Sequence, residues 1–309
     1  MSNTKKALLI GCNYSTDPNN KLYGCISDVV NMSNTLVDAF DYDLNNITIL
    51  RDDSKNQTNL PTRSNIVNHL NALANNSGNL TEIWFHYSGH GSQVQDKNND
   101  ESDKMDEIIV PTDFKTSGTI ADDEIYDILK KISVNCRVIL CFDCCHSGSI
   151  CDLAYGFQTN GRSFLLSNKR LVHPNIYCFS GCKDAQTSVD TYSYVESRNL
   201  GAFTTIFLYC LRLNHFNVHA LKLYSDICRI MLANGFQQIP QFSSSSSNMN
   251  LIFGRISYRN LATLANPTPG LLPLSNLNVN TRNVEGDFDF TFSKNNGVKN
   301  VKKIRMVFS

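Results

Sequence analysis

Two short stretches carry the residue types that could do nucleophilic chemistry. In Asp143-Cys144-Cys145-His146-Ser147-Gly148 a pair of thiols follows the apolar run Val138-Ile139-Leu140, and in Tyr87-Ser88-Gly89-His90-Gly91 an imidazole sits between two glycines after Ile83-Trp84-Phe85. A thiol attacks carbonyl carbon only as thiolate, and at neutral pH it needs a nearby base to get there. An imidazole can take that proton and later return it to a leaving amine. His146 is a poor base for its neighbour, because adjacent residues leaving a strand point apart. That makes His90 the candidate base.

Both stretches end β-rich apolar runs, and reactive groups of open α/β sheets gather at the carboxyl ends of strands. The rest of the chain supplies more runs of this kind. Lys6 to Cys12 predicts a buried first strand, and Ile47-Thr48-Ile49-Leu50 a second. Between them lies a helix with Val29, Met32, Leu36 and Phe40 on one face. Pro61-Thr62-Arg63 opens another, with Thr62 or Ser64 as cap and Ile66, Leu70 and Leu73 inward. Asp122-Asp123-Glu124-Ile125 starts a helix expected to reach about Ile132, Asn175 to Ser180 is a further strand, and helices are expected over 201–213 and 219–234. Alternating strands and helices predict an α/β domain with a mostly parallel central sheet covered on both faces.

The two boxes, in this order and each after a strand, resemble the histidine and cysteine boxes of the metacaspases, cysteine proteases of the caspase-like (caspase-hemoglobinase) fold. The likeness extends from about Lys5 to Gly254 through Gly181 to Ser188 and Gln238-Ile239-Pro240-Gln241. It implies Cys145 as nucleophile, His90 as general base and acid, and the backbone amides of Gly91 and Cys145 as oxyanion hole. It also implies a pocket of Cys25, Asp28, Ser88 and Asp143, whose two carboxylates would select Arg or Lys before the scissile bond. Asp106, Asp122, Asp123 and Asp152 match the family's calcium ligands, a hard-oxygen set suited to activating Ca2+. A protease with such a pocket has Arg162, Lys169 and Arg170 in its own polar stretch, residues 149–174, as candidate self-cleavage sites.

Composition narrows the remaining classes. The chain has 309 residues and 41% hydrophobic content, ample for a core. Its 28 basic and 28 acidic residues cancel, which removes a bulk electrostatic argument for nucleic acid or an anionic membrane. Eleven cysteines in a chain this large, with no apolar segment before the first strand, predict free thiols and a cytoplasmic protein. That start also leaves no room for the N-terminal extension common in the family. The expected organisation is a catalytic domain over 1–265 and an extension of unknown role over 266–309, in a monomer as the resemblance implies.

Two rival readings use the same residues. Cys141-Phe142-Asp143-Cys144 is a C-x-x-C beside Cys145, His146 and Cys151, as in a metal or redox site, though Cys178 and Cys182 are the only approach to a second ligand pair. The other rival is a caspase-fold binding or regulatory protein that has lost hydrolysis.

Overall fold

The computed structural model describes residues 4–95, 104–145, 149–181, 202–236 and 238–254, together with the backbone of 285–291 and 301–307. Its centre is a parallel set of four strands: β1 (Lys5–Gly11), β2 (Ile47–Arg51), β3 (Glu82–Ser88) and β7 (Arg137–Asp143), extended by β10 (Ile176–Ser180). Pairing runs β2-β1-β3-β7-β10, and β12 (Gln241–Ser244), β8 (Tyr155–Phe157) and β9 (Ser163–Leu165) then continue the sheet antiparallel. A second sheet joins β4 (Gly91–Gln95), β5 (Met105–Ile109) and β6 (Ile120–Ala121). β11 (Val218–His219) pairs β13 (Ile252–Phe253), and β14 (Glu285–Thr291) pairs β15 (Val301–Val307). This last pair of strands lies in the segment expected to be an extension.

The central strands are apolar on consecutive residues because both sheet faces are covered. Successive side chains point to opposite faces. Leu8, Ile10, Phe85, Tyr87, Val138, Leu140 and Phe142 enter one core, shared with α2 (Arg63–Asn76) and α4 (Asp122–Leu129). Ala7, Leu9, Trp84, Ile139 and Cys141 enter the other, under α1 (Cys25–Phe40), α5 (Ala202–Leu213) and α6 (Ala220–Ala233). The short α3 (Phe114–Ser117) lies between β5 and β6.

Helix signals in the sequence are realised closely. Thr62 caps α2, its side-chain oxygen accepting the Asn65 N–H, and Ile66 and Leu70 face the sheet. On α1 the inward residues are Val29, Met32, Leu36 and Phe40. α4 ends at Leu129, short of the expected Ile132.

Two segments carry strands that their residues do not announce. The polar stretch 149–174, which shows little periodic pattern, contributes β8 and β9, a hairpin at the sheet edge. Strands of three residues are too short to show a period. β12 runs through the serine tract, where Ser243 and Ser244 are buried although nothing in their side chains marks a strand.

Among the described residues no helix is long and apolar enough to cross a membrane. The ten described cysteines are free thiols. Cys141 and Cys144 lie in different cores, so the C-x-x-C does not form a joint ligand pair.

Candidate active site

Register brings the two reactive stretches together. Gly11, Ser88 and Asp143 are aligned across β1, β3 and β7, so the chains leave the sheet at one level. The Gly89 N–H still donates to the Asp143 carbonyl at 3.3 Å, carrying the ladder one step past the strands. His90 and Cys145 each come two residues after the Ser88–Asp143 pair. Of the adjacent thiols, Cys144 is packed into the core at 1% exposure, whereas Cys145 is only half-buried. A substrate can reach Cys145 and not Cys144.

The imidazole is held on several sides. His90 Nε2 lies 2.8 Å from the Asn20 carbonyl oxygen, which can only accept, so Nε2 carries the proton and Nδ1 keeps its lone pair. Burial lowers the His90 pKa, opposed by the Asn20 carbonyl and the charge of Asp17. The ring is therefore a neutral base at neutral pH. Gly91 packs on the Cys145 carbonyl so closely that a side chain there would collide with it.

The four expected pocket residues come from α1, β3 and β7. Asp28 and Asp143 are buried, as are Cys25 and Ser88. Ser88 Oγ donates to Asp28 Oδ2 at 2.7 Å, and Asp143 Oδ2 accepts the Thr204 N–H at the start of α5 at 2.7 Å. Burial first, and then the charge of Asp143, push the Asp28 carboxyl well above the usual range. The Cys25 thiol is raised too, by burial and by Asp28. A buried acidic pair of this kind favours a cationic guest.

The expected calcium ligands are divided. Asp122, Asp123 and Asp152 each offer an oxygen, all within 4.8 Å of one another. Asp106 is buried on β5 and falls outside this set, while its neighbour Glu107 donates its N–H to Asp122 Oδ2 at 3.0 Å. Asp122 is pushed up to about 8, chiefly by burial. Lys169 sits among these carboxylates, its Nζ 2.8 Å from Asp123 Oδ1 and 2.6 Å from Asp152 Oδ2. Hard carboxylate oxygens already gathered about a positive charge fit a calcium ion.

The other two candidate cleavage residues lie outside that cluster. Arg162 and Arg170 are exposed, and the Arg170 guanidinium lies over the Tyr155 ring. His146, Ser147, Gly148, residues 182–188 and residues 96–103 fall outside the described residues.

Asn20, Thr204 and Glu107 were not singled out from sequence, and Lys169 was read there as a cleavage site, not as a partner of these carboxylates. Asn20 and Thr204 act through backbone groups, which no residue type announces. For Glu107, acidic clustering next to Asp106 was the only available signal.

The model for the metacaspase, peptidase C14 domain matches residues 5–154. Metacaspase-1 of Scheffersomyces stipitis is 32% identical over 302 residues, covering 82% of this chain and 73% of that protein. Metacaspase-1 of Cryptococcus neoformans is 32% identical over 298 residues, and the match covers 81% of this chain and 64% of that protein's length. In fold, the crystal structure of caspase-1 from Spodoptera frugiperda superposes with a TM-score of 0.51 at 13% identity, covering 81% of this chain and 90% of that one. That likeness is one of architecture: an α/β caspase-like fold.

Proposed function

Because the chain belongs to the metacaspases, a family of cysteine-type endopeptidases, we propose that it cleaves peptide bonds after Arg or Lys through a Cys145–His90 dyad, under the control of calcium. The observation that carries this reading is the β3/β7 register. It supports the reading because His90, the half-buried Cys145 thiol and the Asp28–Asp143 carboxylates lie at one end of the sheet.

In the proposed reaction His90 Nδ1 takes the thiol proton and the Cys145 sulfur attacks the scissile carbonyl carbon. The resulting oxyanion is met by the Gly91 and Cys145 amides. Collapse expels the amine, which takes its proton from His90 and leaves a thioester. Water, deprotonated by His90, then releases the acid and regenerates the thiol. Asp28 and Asp143 receive the cationic side chain. Since a raised carboxyl pKa means protons compete with the guest, binding of Arg peptides should strengthen as pH rises.

Asp122, Asp123 and Asp152 would hold the calcium ion, with Asp106 the fourth ligand that the resemblance implies. When bound, the ion supplies a double positive charge that ties α4 to the segment after β7. Arg162 and Arg170, being exposed, are the accessible self-cleavage candidates, while Lys169 is engaged at the cation site.

The test is hydrolysis of fluorogenic peptides ending in Arg, Lys or Asp, with calcium or chelator, by wild type and Cys145→Ala. Calcium-dependent cleavage after Arg and Lys, abolished in the variant, is expected. Cleavage after Asp would overturn the pocket assignment, and equal rates in chelator would overturn calcium control.

A further inference from the structure

We propose that Tyr14 and Tyr87 form a hydroxyl clip that positions His90 for proton transfer; this rests on His90 acting as the base. Tyr87 lies on β3, three residues before His90, and Tyr14 arrives from the loop after β1. The Tyr14 hydroxyl accepts the His90 N–H at 3.0 Å and donates to the Val110 carbonyl at 2.6 Å. The Tyr87 hydroxyl donates to the His90 carbonyl at 2.7 Å and accepts the Val110 N–H at 3.2 Å. The two hydroxyls lie 3.2 Å apart and the Tyr87 hydroxyl is also 3.1 Å from the Val110 carbonyl, so the pair forms one network that holds both backbone groups of His90. Val110 also donates its N–H to the His90 carbonyl at 3.2 Å, which ties the clip to the end of the β4/β5 ladder.

Three further observations point to placement of the imidazole and not to packing alone. The Tyr14 ring lies 4.8 Å from the imidazole, tilted by 36°, so it covers the ring whose backbone its hydroxyl holds. Tyr14 adopts φ 50°, an uncommon conformation for a bulky residue, of a kind that persists where the surroundings impose it. The hydroxyls also approach Gly89 closely: a side chain there would meet Tyr87 Oη at 2.6 Å and Tyr14 Oη at 3.1 Å. Burial raises both phenols well above their usual range, so they remain neutral donors throughout the working pH range.

Small misplacements of a catalytic group cost up to about a hundredfold in rate. Loss of one clip hydroxyl should therefore lower turnover without altering how the peptide is held. Tyr42 is the control, because its hydroxyl donates to Glu82 Oε1 at 2.7 Å at the opposite end of β3. Tyr14→Phe, Tyr87→Phe and Tyr42→Phe each delete one buried hydroxyl and keep the ring.

The experiment measures kcat and KM on an Arg peptide with calcium, and the thermal midpoint, for these three variants, wild type and His90→Ala. Expected is a kcat loss of about tenfold or more for Tyr14→Phe and Tyr87→Phe with KM within about twofold, against unchanged kcat for Tyr42→Phe. If Tyr14→Phe does not fold, Tyr87→Phe decides. Wild-type kcat in a folded clip variant overturns the proposal, as does an equal kcat loss in Tyr42→Phe. Activity retained in His90→Ala would instead sink the dyad itself, and the two failures are thereby distinguished.

Discussion

Replacing Lys169 with methionine should weaken the calcium-free protein and tighten its hold on calcium by the same free energy. The Lys169 ammonium bridges Asp123 and Asp152, with side-chain exposures of 15% for Lys169, 34% for Asp123 and 0% for Asp152. Methionine keeps the length of the stem and removes the charge. Deleting one partner of a buried ion pair costs ~3–5 kcal/mol, and the low end applies because Asp123 is a third exposed. A calcium ion bound by these carboxylates would take the place of the ammonium, so the substitution should leave the loaded state nearly untouched. Thermodynamic linkage then returns the ~3 kcal/mol as roughly hundredfold tighter binding. In chelator the thermal midpoint should fall by roughly 6–12 °C and recover with calcium.

The assay can read the site directly, in a Cys145→Ala background that prevents self-digestion. The Tyr126 ring lies 5.5 Å from Lys169 Nζ, so a terbium ion in that position would be sensitised by tyrosine excitation, and calcium can be titrated against it. Unchanged affinity together with an unchanged midpoint would refute the exchange of lysine for metal. Weaker binding in Lys169→Met would show that the lysine arranges the carboxylates instead of competing for them.

Two further outcomes follow from buried geometry. His86 is fully buried on β3 and, among the described residues, neither ring nitrogen has a hydrogen-bond partner; burial lowers its pKa to about 3. Below pH ~6.5 the unfolded chain takes a proton that the folded chain refuses, so stability is complete above that value and falls by about 1.4 kcal/mol per unit toward pH ~3. Urea unfolding should show this loss as about 2 kcal/mol between pH 7.5 and 5, and His86→Leu should abolish it; an equally steep acid limb in the variant would exclude His86 as its source. Gly91→Ala forces a methyl group against the Cys145 carbonyl, with Cys144 Sγ 3.1 Å away, and should lower kcat about a hundredfold. Gly78→Ala, which meets nothing within 4 Å, should leave kcat unchanged.

What the sequence disclosed depended on how local each signal was. β1, β3 and β7 were legible because strands covered on both faces must be apolar at consecutive residues. β8, β9 and β12 were not: three residues carry no period, and serines are buried in β12 through a fold-level pairing with β10. The engagement of Lys169 was equally hidden. Its partners lie 46 and 17 residues away, and a lysine in a polar stretch normally extends into solvent.

The same contrast explains why the candidate thiols and the candidate base stand out from residue types, while the choice of Cys145 over Cys144 and the cation cluster needed a resemblance. Parallel strands of matched register deliver their carboxyl ends to one edge, so chemistry there recurs at small fixed offsets. Tyr14 lies three residues past Gly11, and His90 and Cys145 lie two past Ser88 and Asp143. A reader who knows only that the sheet is parallel can search those offsets, and the same search reaches Tyr14 once register is known. The carboxylates of Asp122, Asp123 and Asp152 obey no such rule, since two open a helix beside the second sheet and the third follows the cysteine box at φ 48°. Their convergence depends on how β5, α4 and the segment after β7 pack together. A site built by register is legible in local sequence, and a site built by packing becomes legible only when the packing is known.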